Sequence, residues 1–465
     1  MLDSGNLSEV SVTGQNSSQQ ATSMRGSAGD SAASKPQATS WLEEFISSTD
    51  ARGDVPLHPS VQGLKELIES RAELRMWATA MFQEVPNKSP YNRQNGAVGR
   101  SSVRDYHHML ALISVIVNEV APTWTMAAAG FGTIGLPFEA TLDWAMDTPS
   151  GHAFFHDGSV NAQLKVVLDA WRDNLLMTSK SRAVVTTDAG NWLSKEAVAA
   201  IERNANLDPN KRYTFEQLFR CDPAGDPRHW GFQSWDDFFV RQFTDMDALR
   251  PVGYPDNPAW VVNGCESWAV AIQTDVKRHD NFWLKGNRYS LQDMLDRHPL
   301  ADRFVGGTVH QSVLRVTAYH RWAAPVSGHV VYAGVVPGRY FAHSPAGGLG
   351  AEPVRSPRDV LGSLTHFSTR ALIFIQGDDP VGLMCFVAVG IADVSTCEIA
   401  TKFMGDWPQP VRKGEELGMF HYGGSSQCLV FRKGLKLAFT DAAVPGAQKK
   451  DVAIRSPLAF AYAED

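Results

Sequence analysis

The residues best suited to chemistry in this chain lie near its C-terminus, where two glycines precede two serines, Gly423-Gly424-Ser425-Ser426. Glycine has no Cβ, so its backbone can adopt dihedral angles that bring the Ser425 hydroxyl close to the Gly424 carbonyl. Attack of the hydroxyl on that carbonyl would turn the amide into an ester. Elimination from the ester and loss of ammonia would then leave a pyruvoyl group at residue 425. The alternative is a glycine-rich hairpin turn between two strands.

Three further motifs precede this segment in the second half of the chain and favour the chemical interpretation. They are Phe238–Arg241 followed by Arg250-Pro251, Lys285–Leu291, and Tyr319–Trp322 followed by Pro325 and Gly328. Together with the Gly-Gly-Ser-Ser segment, they resemble the phosphatidylserine decarboxylase family, whose members cut themselves at a Gly-Ser bond. The resemblance covers roughly residues 225–465. An ordered set of motifs is far more specific than any one of them.

Four short fragments are similar to the soluble fungal branch of this family that decarboxylates L-tryptophan. They are Cys265–Ser267, Val316–Ala318, Ser395–Glu398 and Gly418–His421. The resemblance implies an α+β fold, with a helical N-terminal domain followed by a mostly antiparallel β catalytic domain of phosphatidylserine decarboxylase type. It also implies a small-molecule amino-acid substrate, aromatic and tryptophan-like.

The cofactor that the resemblance implies is a pyruvoyl group derived from Ser425 by self-cleavage between residues 424 and 425. Its ketone would condense with the substrate amine to give an imine. It would then accept the electrons released as CO₂ leaves, as pyridoxal phosphate does in other enzymes. Neither a bound organic cofactor nor a metal is then required.

Self-cleavage needs a base for Ser425, because a serine hydroxyl does not ionise unaided at neutral pH. In the family that this chain resembles, an Asp-His-Ser relay supplies the base, and its histidine is the second one in Tyr-His-Arg-x-His. Here the first histidine is His320, but the second position is Ala323, which cannot accept a proton. Glu266 stands where the family usually has the aspartate. Glu266 is either the acidic member of the relay or an ordinary polar residue at the end of a strand.

Three interpretations of Ala323 remain open. It is an engineered change that holds the precursor uncut, a natural residue with His421 or His320 acting as the base, or the mark of a protein that has lost processing. We expect cleavage to be slow or absent in this chain. The alternative for His320 is a core histidine bonded to the backbone.

Three classes of function follow from these residues. The first is a self-processing, pyruvoyl-dependent decarboxylase of a soluble aromatic amino acid. The second is a phosphatidylserine decarboxylase, whose substrate lies in a bilayer; the sequence offers no basic amphipathic helix for that surface. The third is a non-catalytic binding homologue that keeps the pocket and lacks the prosthetic group, and Ala323 supports this class.

Composition limits the classes of function further. With 465 residues, 43% hydrophobic and 20% charged, the chain is long enough for several globular domains. A formal charge of −7 without a long basic run argues against a nucleic-acid partner. Five cysteines without Cys-x-x-Cys spacing favour reduced thiols in the cytoplasm over disulfides or a zinc site. No apolar run is long enough to predict a membrane-spanning helix, and the first residues do not have the pattern of a signal peptide. The sequence does not predict the oligomeric state.

Patterning divides the chain into three parts. Residues 1–40 are rich in Ser, Gln, Gly and Ala, which predicts a disordered leader, with structure starting at Trp41. Residues 41–205 carry apolar residues at helical spacing and predict the helical N-terminal domain. Residues 206–465 predict the catalytic domain, because β-rich runs at 330–332, 372–375 and 383–389 are separated by Gly and Pro. Weak alternation in these runs is compatible with strands buried on both faces.

Three tempting motifs have simpler interpretations. Gly130–Gly135 fits Gly-x-Gly-x-x-Gly, but the preceding residues predict a helix rather than a strand, so a loop is favoured over a dinucleotide site. His107-His108 predicts a polar helix start rather than a metal site. Asp236-Asp237 predicts a solvated or capping role, because adjacent side chains point in different directions.

Overall fold

A computed structural model of the chain describes residues 35–85, 103–129, 137–282, 289–342, 357–391, 396–446 and 450–463. Several parts of the sequence interpreted above lie outside these ranges. They are most of the predicted leader, the Gly130–Gly135 motif, most of the Lys285–Leu291 motif, and Ser395.

Helices form the first part of the described chain. They are α1 Lys35–Asp50, α2 Pro59–Ser70, α3 Ala72–Gln83, α4 Tyr106–Glu119, α5 Trp124–Ala129, α6 Pro137–Met146, α7 Pro149–His156, α8 Gly158–Trp171, α9 Lys195–Ala205, α10 Phe215–Leu218, α11 Trp235–Phe239 and α12 Met246–Leu249. The first helix begins at Lys35, ahead of the Trp41 start expected from the sequence. Helix α9 ends where the sequence places a domain boundary, and α10, α11 and α12 follow before the first strand.

Local sequence explains helix α4. The Asp105 carboxylate accepts a hydrogen bond from the His108 backbone N–H at 2.9 Å and so caps the start of the helix. Most of the residues from Met109 to Val117 are buried. The helical prediction for this part of the chain and the polar helix start predicted at His107-His108 are therefore confirmed.

Helix α8 continues into a single π-helical turn at Arg172–Leu176. Such turns widen the helix by one residue and are frequent at functional sites. The turn lies at the end of α8 that faces the β part, because Trp171 and Arg172 both contact residues there.

Strands dominate the second part of the described chain. They are β1 Trp260–Val262, β2 Trp268–Thr274, β3 Thr308–Leu314, β4 Arg321–Ala323, β5 Gly328–Val336, β6 Arg370–Gly377, β7 Leu383–Ile391, β8 Cys397–Ile399, β9 Gln409–Val411, β10 Glu416–Phe420, β11 Gly424–Phe431, β12 Leu435–Phe439 and β13 Pro457–Ala463. Among the described residues, two α-helices interrupt them, α13 Leu291–Met294 and α14 Pro357–Phe367.

The strands pair into one large sheet and two small ones, and every pair is antiparallel. The seven-stranded sheet has the order β2-β3-β11-β7-β6-β5-β9, and the small sheets are β1-β13-β12 and β4-β10-β8. The α+β class predicted from the sequence is therefore confirmed. Strands β5, β6 and β7 contain the three predicted β-rich runs, and β7 is buried along its whole length.

Strand β11 is the inner strand that matters for chemistry, because it begins at Gly424. It lies between β3 and β7, and Ser425 is opposite Leu314 on one side and Gly390 on the other. A strand with neighbours on both sides has its backbone fixed by two ladders of hydrogen bonds. Ser425 therefore has a well-defined position at the start of the strand.

The helical part packs directly against the β part. One apolar cluster joins the buried faces of the helices to Tyr319, Ala323 and Tyr422. The helical core therefore reaches the residues that flank the candidate cleavage bond. None of the described helices is long and apolar enough to cross a membrane.

Candidate active site

The backbone just before the Gly424–Ser425 bond adopts rare dihedral angles. Gly423 has φ of 130°, as the sequence predicts for a glycine in a strained position, and Tyr422 has φ of 23°. Only glycine adopts such angles readily, and a bulky residue there carries a strain of about 1–3 kcal/mol. The strain predicted for Gly-Gly therefore extends one residue further upstream than the sequence suggested.

The two serines of the segment have different surroundings. Ser425 is 1% exposed, and its hydroxyl has no hydrogen-bond partner among the described residues. The Ser426 hydroxyl, in contrast, donates to the Ser312 carbonyl at 2.8 Å and accepts from Gln311 Nε2 at 3.1 Å. A buried hydroxyl without a hydrogen-bond partner destabilises the folded protein, because it has given up its hydrogen bonds to water. Such hydroxyls are therefore uncommon. Ser425 is thus the serine whose hydroxyl is free to react.

His320 lies close to this segment through the backbone, because its carbonyl accepts a hydrogen bond from the Phe420 N–H at 3.0 Å. Its ring is buried and stacks on Phe239 with 4.0 Å between ring centroids. Neither ring nitrogen makes a hydrogen bond to a described residue. Burial, and then the positive charge of Arg241, lower the pKa of His320 to about 3, and the nearby Ala318 carbonyl opposes this weakly. The imidazole is neutral at pH 7.

Ala323 occupies the position where the resemblance predicts a histidine. It is 1% exposed, and its backbone N–H donates to the Gly264 carbonyl at 2.9 Å. It lines a cleft of about 220 Å³, together with Tyr319, Trp322 and Glu416 among others. Neither Ser425 nor His320 is among the residues that line this cleft.

Glu266 is buried against the helical part. Its carboxylate accepts a charged hydrogen bond from Arg250 Nε, and Arg250 Nη2 also donates to the Ala205 carbonyl at 2.7 Å. Burial raises the pKa of Glu266, and Arg250 opposes this only in part. No described histidine hydrogen-bonds to this carboxylate, so its role in a relay stays a prediction. The observed contact ties Glu266 to the Arg-Pro motif that follows α12.

The side chain of Gln427, two residues beyond Ser425 on strand β11, belongs to a buried polar network. The sequence analysis did not predict this network. Gln427 Nε2 donates to Asn263 Oδ1 at 2.6 Å and to Ser312 Oγ at 2.9 Å. Alternate residues of a strand face the same side, so residue 427 shares the face of Ser425. A Cβ at Gly264 would lie 2.8 Å from Gln427 Oε1, so the packing there requires a glycine. The period-two rule could have identified Gln427 from the sequence.

His421, one of the two replacement bases considered from the sequence, has partners that the sequence did not predict. Its Nδ1 lies 2.9 Å from Asp236 Oδ1, and its Nε2 lies 3.0 Å from Glu398 Oε2. Burial alone would lower the pKa of His421, but the hydrogen bonds and charges of Asp236 and Glu398 outweigh it and raise the pKa above its ordinary value. With a carboxylate at each nitrogen, the protonated ring can donate twice. In that form it has no lone pair with which to take a proton from Ser425.

The prediction of a solvated or capping role for Asp236-Asp237 is half wrong. Asp237 is exposed, and its carboxylate accepts from the Gln233 backbone N–H at 2.9 Å, which agrees with a capping role. Asp236 is 4% exposed and is bonded to His421 instead. Adjacent residues of a helix point about 100° apart, so one of the pair can face the core while the other faces water.

Tyr422 also contacts the helical part. The Trp171 ring meets its ring edge-on, with 6.1 Å between centroids. At the π-helical turn, Arg172 donates to the Thr396 hydroxyl at 3.0 Å, and that hydroxyl lies 3.5 Å from the Tyr422 hydroxyl. The helical part therefore touches both residues that precede Gly423.

Comparison with known proteins identifies the class. Residues 58–201 and residues 235–452 each match a family model described as phosphatidylserine decarboxylase. The chain belongs to the phosphatidylserine decarboxylase family.

Its relatives include fungal decarboxylases. A protein named decarboxylase iboD from Amanita muscaria is 40% identical over 336 residues, which are 70% of this chain and 91% of that one. The L-tryptophan decarboxylase of Psilocybe cubensis is 32% identical over 407 residues, or 84% of each chain. The L-tryptophan decarboxylase of Psilocybe cyanescens is 38% identical over 319 residues, or 66% of this chain and 70% of that one.

Proposed function

We propose that this protein is a decarboxylase of a soluble, tryptophan-like aromatic amino acid, and that its reactive group is a pyruvoyl formed from Ser425 by self-cleavage. The observation that carries the proposal is the Ser425 hydroxyl, which is buried without a hydrogen-bond partner in the described part of the chain and closely follows the strained Tyr422-Gly423 backbone. The fungal relatives named L-tryptophan decarboxylases support the substrate class.

The cleavage steps use atoms of the chain and one water molecule. Ser425 Oγ adds to the Gly424 carbonyl carbon, the C–N bond breaks, and an ester joins the two residues. Removal of the Ser425 Cα proton then expels Gly424 as a carboxylate and leaves a dehydroalanine. Water adds to that residue and ammonia leaves. The pyruvoyl group so formed supplies an electron sink for the loss of CO₂ from an amine-bearing acid.

Among the described residues, the three that we considered as the base for the first step are poorly suited to it. Ala323 cannot accept a proton, and both ring nitrogens of His421 are engaged by carboxylates. His320 has free nitrogens, but a pKa of about 3 makes it a weak base at neutral pH. We therefore propose that the chain remains largely uncut. We also propose that Ala323→His restores cleavage, because it puts a histidine at the position where the family has one.

The test compares Ala323→His with Ala323→His/Ser425→Ala, which lacks the hydroxyl. After each is purified, CO₂ release is measured from tryptophan and from phosphatidylserine in vesicles. We expect release from tryptophan by the first variant alone. Release from phosphatidylserine instead would assign the second class of function, a phosphatidylserine decarboxylase.

A non-catalytic binding homologue is the other candidate, and Ala323 is the observation that favours it. In that case Ala323→His neither cuts itself nor releases CO₂ from any amino acid, while the unmodified chain still binds an aromatic amino acid. Binding is measured by calorimetry with tryptophan, with alanine as the matched control ligand. Cleavage of Ala323→His with CO₂ release would exclude this candidate.

A further inference from the structure

Residues 421–423 are the link between two fixed pieces of backbone. Up to Phe420 the chain is held in β10 by its ladders with β4 and β8. From Gly424 onwards it is held in β11 by β3 and β7. The rare dihedral angles of Tyr422 and Gly423 fall inside this link. Strained backbone persists only where the surroundings over-determine it, so side-chain contacts must hold the link in place.

The strongest of those contacts is a charged cluster that we call the His421 clamp, made of Asp236, His421 and Glu398. Asp236 and His421 are 4% and 5% exposed, whereas the Glu398 side chain is 52% exposed. Asp236 Oδ1 and Oδ2 lie 2.9 and 3.1 Å from His421 Nδ1. Buried charge-assisted hydrogen bonds are among the strongest polar contacts in proteins. The buried half of the clamp therefore fixes the His421 ring against α11.

The clamp joins parts of the chain that are far apart in sequence. Asp236 comes from α11 in the helical part, Glu398 from β8, and His421 from the link itself. The His421 backbone N–H also donates to the Thr396 carbonyl at 3.4 Å. Arg172, another charged residue, reaches the link through the Thr396 hydroxyl. Any loosening between α11 and the small sheet would thus act directly on the link.

We propose that the His421 clamp is a positioning site: it ties α11 to the link and holds Tyr422 and Gly423 in the conformation that presents the Gly424 carbonyl to the Ser425 hydroxyl. The role of the clamp in cleavage rests on the function proposed above. Its role in holding the link does not depend on that function. Asp236 and His421 are positioning residues, since the atoms that react belong to Gly424 and Ser425.

The first experiment is independent of cleavage and uses the chain with Ala323 in place. Asp236→Asn removes the buried charge, and Asp237→Asn is a matched control with the same substitution at the exposed neighbour. The His421 pKa is measured by NMR, and the exchange of the Phe420 and His421 backbone amides is followed. We expect Asp236→Asn to lower the pKa by about one unit or more and to speed exchange roughly tenfold, with the control unchanged. Equal behaviour of the two variants would overturn the proposal.

The second experiment measures cleavage in the Ala323→His background across a range of pH. Because the clamp is assembled while His421 is protonated, the cleavage rate should fall as pH rises through the His421 pKa. Asp236→Asn should move that fall to lower pH and slow cleavage roughly tenfold. A purely structural defect would lower the rate at every pH and leave the profile in place.

The two proposals fail in different ways. If Ala323→His cuts itself and Asp236→Asn leaves the pH profile unchanged, the clamp has no positioning role in cleavage and the proposed function stands. If Ala323→His does not cut itself, the proposed function fails, and amide exchange in the first experiment still decides whether the clamp holds the link.

Discussion

Two buried histidines lie on adjacent segments next to the candidate cleavage bond, and their surroundings are opposite. His320 stacks on Phe239, has no hydrogen bond to either nitrogen among the described residues, and is neutral. His421 is almost equally buried but lies between two carboxylates and is charged. The difference shows that partners, more than burial, set the protonation state of a buried imidazole.

Under the proposed function, the same difference makes both histidines poor substitutes for the histidine that the family has at residue 323. A base for Ser425 must have a free lone pair and a pKa near the working pH. The ring nitrogens of His320 have no described partner, but its pKa of about 3 is far below the working pH. The pKa of His421 is raised, but both of its ring nitrogens are engaged by carboxylates. The predictions below alter one property at a time.

The largest effect is expected from adding a histidine that meets both requirements. Ala323→His should accelerate cleavage by roughly 10²- to 10⁴-fold, the usual contribution of general-base catalysis. Denaturing electrophoresis over time measures the rate. Ala323→Gln is the control, because it places a polar side chain at the same position that cannot act as a base. Equal rates for the two variants would show that Ala323 is not what limits cleavage.

The second prediction removes the charge partner that distinguishes His421. Asp236→Asn leaves a buried imidazolium with one exposed carboxylate, which should lower the free energy of unfolding by about 2–4 kcal/mol. Asp237→Asn should cost about 0.5 kcal/mol or less, because that side chain is exposed. Urea unfolding of both variants measures the difference. If Asp236→Asn is as stable as its neighbour, the ion pair does not stabilise the fold.

The third prediction separates the two histidines by pH. The folded-state pKa of His320 is about 3, below that of the unfolded chain near 6.5, so its contribution to stability is present above pH 6.5 and is lost as pH falls. The loss between pH 6.5 and 5 is about 2 kcal/mol. His320→Phe should reduce this acid sensitivity and leave part of it, since His310 and His366 also have lowered pKa values of about 4 and 3.

His421 should act on the other side of the pH range. Its folded-state pKa is raised, so its contribution is present below the unfolded pKa and is lost as pH rises through the folded value. His421→Gln should therefore flatten the alkaline side of the stability curve and leave the acid side unchanged. Urea unfolding at a series of pH values measures both histidine variants, and a change on the same side for both would contradict the assignment.

The smallest effect is expected at the exposed end of the clamp. Because more than half of the Glu398 side chain is exposed, water screens its charge, and Glu398→Gln should cost about 0.2–1 kcal/mol. Raising the salt concentration should reduce this cost further and leave that of Asp236→Asn largely unchanged. Urea unfolding at low and high salt measures both variants. An effect of Glu398→Gln as large as that of Asp236→Asn would show that the exposed carboxylate dominates the clamp.

Local features of the site could be predicted from the sequence, whereas long-range contacts could not. Gly423-Gly424-Ser425 is a contiguous signal, and the strain that it predicts is found at Gly423. Periodicity and β-rich composition likewise predicted helix α4 and strand β7. The contact between Asp236 and His421 joins residues 185 positions apart and depends on how α11 packs against β10.

Two other features show the same limit. The φ of Tyr422 depends on contacts with residues that are distant in sequence, because tyrosine itself disfavours that angle. The partner of Glu266 proved to be Arg250, where family resemblance suggested a relay with a histidine. A resemblance transfers residue types to positions, and the contacts between them still depend on the packing of this chain.

The most direct test of the account is the intact mass of purified Ala323→His. We predict two products, residues 1–424 and a fragment from residue 425 onwards that is lighter by one ammonia than a fragment with an N-terminal serine. A single uncut chain from a protein whose circular dichroism and unfolding match those of the parent would contradict the claim that the Gly424–Ser425 bond is made to cleave. A C-terminal fragment with an intact serine would contradict it as well, because simple hydrolysis yields no ketone.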